Sequence, residues 1–134
     1  MSADAPARST STGMWWTGAV LTGLPALLLT MSAVMKLMQP PEVIEGMQQS
    51  GFPTYLAVWL GVVELTCTIL YVIPQTSVLG AILLTGYMGG AICTHVRMEE
   101  PFFVQFAIGV VIWLGVYFRD HRLRALIPFR TRER

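Results

Sequence analysis

Four uninterrupted apolar runs restrict what this chain can fold into. They lie within Trp15–Met38, Tyr55–Ile73, Val78–Val96 and Phe102–Phe118. Each is roughly 17–22 residues long, enough for a helix to cross a ~30 Å hydrocarbon core. The chain is 54% hydrophobic and 13% charged, against about 25% charge in a typical soluble domain. A soluble fold of this size would lack the polar surface to cover so much apolar side chain. The runs are continuous rather than alternating, which excludes a membrane barrel and leaves helices, whose backbone groups pair internally. The expected fold is an all-α membrane protein, a four-transmembrane-helix bundle forming one domain over residues 14–118.

Punctuation residues divide the runs. Residues 1–13, rich in Ser, Thr, Ala and Pro, read as a disordered N-terminal tail. The first run is too long for a cleaved signal peptide, and no small-x-small site ends it. Trp15 and Trp16 suit an interfacial aromatic belt, and Pro25 predicts a kink inside the first helix. Pro40 and Pro41 stop it. Residues Pro41–Ser50 predict one short connecting helix, ended by Gly51 and Pro53. Pro74-Gln75-Thr76-Ser77 predicts a tight, uncharged turn, which makes the second and third runs an antiparallel hairpin. Gly86 and Gly90 form a GxxxG pattern, with Gly80 as a further notch, and both are expected to let neighbouring helices approach. Cys67 and Cys93 fall at different depths and are expected to be small packing residues rather than a disulfide.

Charge orients the chain. Residues 119–134 carry six arginines against Asp120 and Glu133, a basic tail expected on the cytoplasmic side, where it can also touch anionic lipid heads. Four crossings then place both termini inside. Glu42, Glu45, Glu99 and Glu100 fall on outer connectors. The expected location is the inner (plasma) membrane, multi-pass, with the bilayer as the principal partner and no nucleic acid.

Glu64 interrupts the second run. A carboxylate at the centre of a span costs on the order of 3 kcal/mol on insertion scales, so it requires a partner, a proton or a function. Lys36 and His95 are the other clearly ionisable side chains within the runs. Topology puts all three in the outer half of the bilayer. A Lys36–Glu64 contact requires the Lys36 stem to point inward rather than to snorkel. Ser32 lies one turn before Lys36, and Gly61, three residues before Glu64, is expected to leave room beside the carboxylate. Three readings follow: a structural ion pair, a proton-handling or ligand-binding pocket, and a contact to a partner subunit. No Cys/His cluster, HExxH, P-loop or GxGxxG is present. A metal site is not expected, and redox chemistry would need a partner that carries the cofactor.

The same residues resemble the DoxX-like family of small four-span bacterial membrane proteins. The carriers are Ser32-Ala33-Val34-Met35-Lys36-Leu37, Gly61-Val62-Val63-Glu64-Leu65 followed by Leu70 and Pro74, and Ala91-Ile92-Cys93-Thr94-His95-Val96-Arg97. The pattern's Lys, Glu and His-x-Arg fall on Lys36, Glu64, His95 and Arg97. The resemblance implies a ligand-binding set of Lys36, Glu64, His95 and Arg97. The family takes its name from a subunit of a thiosulfate:quinone oxidoreductase or terminal quinol oxidase. The resemblance therefore implies a small subunit of a membrane redox or stress-response assembly, with a redox partner subunit and quinone or quinol as the compatible cofactor. In that reading Glu64 accepts a proton, Lys36 is its charge partner and His95 relays protons outward. The alternatives are a stand-alone acid/base isomerase using Glu64 and His95 on a lipophilic substrate, and a structural scaffold.

Overall fold

The computed structural model describes residues 11–127, and every regular element among them is helical. The elements are α1 (Thr12–Met38), α2 (Pro41–Gln49), α3 (Leu56–Val72), α4 (Ser77–Arg97), α5 (Phe103–Arg119) and α6 (His121–Leu126). A single 3-10 turn, Pro74–Thr76, joins α3 to α4. Two helices, Thr12–Met38 and the segment Pro74–Arg97, are long and apolar enough to cross a membrane, and α3 and α5 are shorter apolar helices.

The inner faces of α1 and α3 set small residues among larger and polar ones at helical spacing. On α1 they are Gly18, Thr22, Pro25, Ala26, Leu29 and Ala33. On α3 they are Ala57, Gly61, Glu64, Cys67, Thr68 and Tyr71. The outer faces are apolar. Val20, Leu24, Leu27 and Met31 on α1, Ile69 on α3, Ile82 on α4, and Phe103, Val104 and Phe106 on α5 are all more than half exposed. Large apolar groups facing outward, with small and polar residues at the helix contacts, is the pattern expected where lipid is the solvent, because close backbone approach replaces hydrophobic burial as the source of helix association.

Neighbour relations close on themselves: α1 packs on α3 and α5, and α4 packs on the same two helices. One end is tightly filled. Tyr71, Leu84, Ile112 and Val116 are fully buried there, and the Tyr71 hydroxyl donates to the Ile112 carbonyl at 3.0 Å. Arg119 ties the same end together by donating to Thr22 Oγ1 and to the Val72 carbonyl, each at 3.2 Å. The second bond satisfies a carbonyl that the C-terminus of α3 leaves open.

Several expectations hold at the level of elements. The connecting helix appears as α2 with Pro41 at its first turn, where a missing N–H costs nothing. Gln39, in the left-handed region at φ 52°, ends α1. Other expectations need correction. The helix begins at Thr12, capped by Ser11, because the Ser11 hydroxyl accepts from the Met14 N–H; the rest of the expected tail, residues 1–10, lies outside the described residues. The start of the basic tail is helical. Asp120 accepts from the N–H groups of Arg122 and Leu123 and starts α6, and residues 128–134 lie outside the description. Cys67 is buried but Cys93 is exposed, and both are free thiols. The GxxxG reading fails, since a Cβ built on Gly86 or Gly90 meets nothing. The notch is Gly80, whose added Cβ would fall on the backbone of Tyr71 and Leu70.

This difference is testable. Gly80→Ala is expected to destabilise the protein by about 3 kcal/mol or more, since backbone cannot be pushed aside. Gly86→Ala should cost less than about 0.5 kcal/mol or stabilise the helix slightly. Thermal unfolding in detergent micelles would separate the two, and equal shifts would contradict the assignment of the close contact to Gly80.

Candidate functional site

The filled end contrasts with the other, where α1 and α4 finish and α3 and α5 begin. There the helices surround a cavity of about 700 Å³, partly covered by α2. Leu29, Met47, Leu60, Met88 and Ile108, one from each of α1 to α5, form apolar walls. Gly86 and Gly90 also line it, so their missing side chains widen the cavity instead of joining helices.

Lys36, Glu64 and His95 all line this cavity. The first two are in contact, with Lys36 Nζ 2.7 Å from Glu64 Oε2. Lys36 also donates to Ser32 Oγ at 2.5 Å, and Ser32 donates to the same Glu64 oxygen at 3.2 Å. Ser32 and Lys36 are one turn apart on α1, which sets both heads against one carboxylate. Glu64 is 2% exposed and Lys36 23%. The Lys36 stem therefore turns inward, to the anion, rather than outward. The Tyr87 ring centre lies 6.0 Å from Lys36 Nζ, placing an aromatic face beside the pair.

Gly61 explains why the pair forms, and for a reason other than the expected one. It leaves no vacant space beside Glu64. An added Cβ there would lie 3.0 Å from the Ala33 carbonyl oxygen and 3.1 Å from Lys36 Cβ. The small residue admits the α1 backbone, and that approach carries Lys36 to the carboxylate.

His95 belongs to a second polar group. Its Nδ1 is 2.8 Å from the Ala91 carbonyl, an obligate acceptor, so Nδ1 carries the proton. Nε2 then accepts from the Gln105 amide nitrogen at 3.0 Å. Glu100 Oε2 approaches the same Nε2 at 3.9 Å. Gln105 Oε1 is buried and has no partner. A second proton on His95 would set two donors against each other. The Gln105 amide would have to turn over, bringing its unpaired oxygen to the ring. His95 makes no hydrogen bond to Lys36 or Glu64 among the described residues, so the trio shares one cavity as two separate groups.

Gln105 is a cavity residue that no motif marks, although its position in the helix carries a signal. Gln105, Ile108, Ile112 and Val116 recur at helical spacing, and the last two are buried, which turns Gln105 inward. Arg97 sits elsewhere than the ligand-binding set implies. It does not line the cavity. Its guanidinium donates to the Ser50 carbonyl and lies 5.4 Å from the centre of the Phe52 ring. Ser50 and Phe52 do line the cavity, so Arg97 fastens the α2–α3 connector to the end of α4.

An all-helical fold with an apolar exterior and a mostly apolar cavity holding a few polar groups defines the class: a helical membrane protein. Its affiliation is closer still. The model of the DoxX-like family matches residues 20–118, and the chain belongs to that family. The match takes in most of α1 and nearly all of α5, well beyond the motifs that end the first three runs. No curated protein and no solved structure matches the chain.

Removing one member of a buried ion pair strands the other charge, whereas removing both need not destabilise. Lys36→Met alone is expected to cost about 3 kcal/mol, and Lys36→Met with Glu64→Leu should recover most of that loss. Unfolding in mixed micelles would measure both. A double variant as unstable as the sum of its singles would show that the pair is not energetically coupled.

Proposed function

We propose that the chain is a four-span protein of the inner membrane that holds a lipophilic ligand in the α1–α5 cavity, as a small subunit of a quinone-linked redox or stress-response assembly. The observation that carries this reading is the cavity itself. About 700 Å³ lies within the range that encloses a drug-sized molecule. Its walls are mostly apolar, and its polar groups are few and grouped: Lys36, Glu64 and Ser32 on one side, His95 and Gln105 on the other. A molecule with a polar head and an apolar body matches that division.

The membrane arrangement follows from helix length and charge. α3 and α5 have 17 residues each, about 26 Å at 1.5 Å per residue, close to the thickness of a thin bilayer. With the arginine-rich C-terminal end inside, the cavity opens toward the outer face. His95 and Glu100 then lie at the mouth, where a proton from a bound head group can reach water. A C-terminal reporter active only outside the cytoplasm should be silent, and activity would reverse the orientation.

The isomerase reading asks Glu64 to take a proton from substrate, yet its Oε2 is engaged by Lys36 and Ser32. The same engagement counts against Glu64 as proton acceptor for a quinol, so in the quinone-linked reading Glu64 serves as the charge partner of Lys36, whereas the isomerase would need a second base. The scaffold reading needs no cavity. Native mass spectrometry after purification from membranes containing quinone separates these cases. Gly90→Leu puts a side chain into open space and should lower quinone retention at least about tenfold without unfolding the protein. Glu64→Gln should also lower it. Retention unchanged in both variants would leave the scaffold reading.

A further inference from the structure

The Lys36–Glu64–Ser32 cluster holds a balance of charge that restricts the ligand. We infer that the cavity selects lipophiles with an uncharged, hydrogen-bond-accepting head, such as a ketone or quinone carbonyl, and rejects carboxylate- or phosphate-headed lipids. Glu64 is the residue that sets this selection. The inference rests on the cavity reading above and adds to it the electrical character of the ligand.

The argument starts from donors and charges. An ammonium has three N–H donors and no acceptor. Lys36 spends one on Glu64 Oε2 at 2.7 Å and one on Ser32 Oγ at 2.5 Å. Lys36 lines the cavity and keeps a quarter of its side chain open, so the third donor is available to an acceptor there. Its positive charge is already matched. Glu64 is almost fully buried against it, so the pair carries no net charge toward the cavity. The second polar group adds no unmatched cation: His95 gives its Nδ1 proton to the Ala91 carbonyl, and its Nε2 meets the neutral Gln105 amide with the Glu100 carboxylate beside it. The nearest further ionised group, Glu100 at 3.9 Å from His95, is negative. Arg97, the cation that could have served an anionic head, is turned away onto Ser50 and Phe52.

An anionic head entering this cavity would lose its hydration and find no uncompensated cation, a cost that burial does not return. A neutral carbonyl loses little hydration and gains a charge-assisted hydrogen bond from Lys36. Common membrane lipids, with phosphate heads, would thus be excluded despite the apolar walls. The exclusion is a property of Glu64 and not of the cavity's shape. Neutralising Glu64 leaves Lys36 as an unmatched cation and should turn the site into one for carboxylates.

The test compares 2-heptadecanone with palmitate, two probes of similar length that differ at the head. The full-length protein in detergent is offered equal concentrations of both, and retained probe is read by native mass spectrometry. The wild type should hold the ketone about tenfold or more over palmitate, the ratio expected for one charge-assisted hydrogen bond. Glu64→Gln should reverse the preference, and Lys36→Met should lower retention of both probes. Palmitate held by the wild type as well as the ketone, with Gly90→Leu displacing both, overturns the charge argument and leaves the cavity reading standing. Retention of neither probe by the wild type overturns both. If Glu64→Gln does not fold, the wild-type ratio and the loss on Lys36→Met decide the matter.

Discussion

A carboxylate held inside an apolar helix bundle obliges the packing around it to deliver a cation. Here Glu64 is on the inner face of α3, and the delivery is made by the close approach of α1 at Gly61. The approach places Lys36 and Ser32 on one carboxylate oxygen. Association of helices in lipid draws little on the hydrophobic effect. A charged contact at one defined height therefore contributes registry between α1 and α3 that apolar side chains alone would leave loose.

The two ends of the molecule divide the work. At one end Gly80 brings α4 onto Tyr71, and Arg119 closes the terminus of α3. The pocket beside Pro74, Ser77, Arg119 and Asp120 there measures about 100 Å³, far less than the cavity at the opposite end. At the other end α4 presents Gly86 and Gly90 to the cavity, which stays open to one side. On the same helices, the packed half fixes the positions of the side chains that line the open half. The α2 segment and Arg97 complete the open end from above, through the connector that holds Ser50 and Phe52.

Much of this architecture is legible in the chain itself. Run lengths mark the apolar helices, prolines mark their ends, and Pro41 opens the short helix that follows α1. Glu64 identifies itself by its setting, and inward spacing with Ala57, Gly61, Thr68 and Tyr71 assigns it to the packed face of α3. The role of glycine is less legible. Gly80, Gly86 and Gly90 all read as places for close approach and Gly61 as open room beside Glu64, but of the four it is Gly61 and Gly80 that meet a neighbouring helix. A missing side chain has the same signature whether a partner fills the gap or a cavity does. Gln105 escaped notice because its polarity is modest and its face is revealed only by the buried residues that follow it.

Composition and local pattern determined that this protein is helical, lives in lipid and carries ionisable groups it must reconcile with that setting. They could do so because hydrocarbon imposes its demands residue by residue, on every backbone amide and every charge. Which groups meet was decided only in three dimensions. Lys36 could have snorkelled to the surface, His95 could have joined the ion pair, and Arg97 could have faced a ligand. Helix rotation and the approach at Gly61 gave Lys36 to Glu64, His95 to Gln105 and Arg97 to the connector, because those choices depend on distances between segments far apart in the chain.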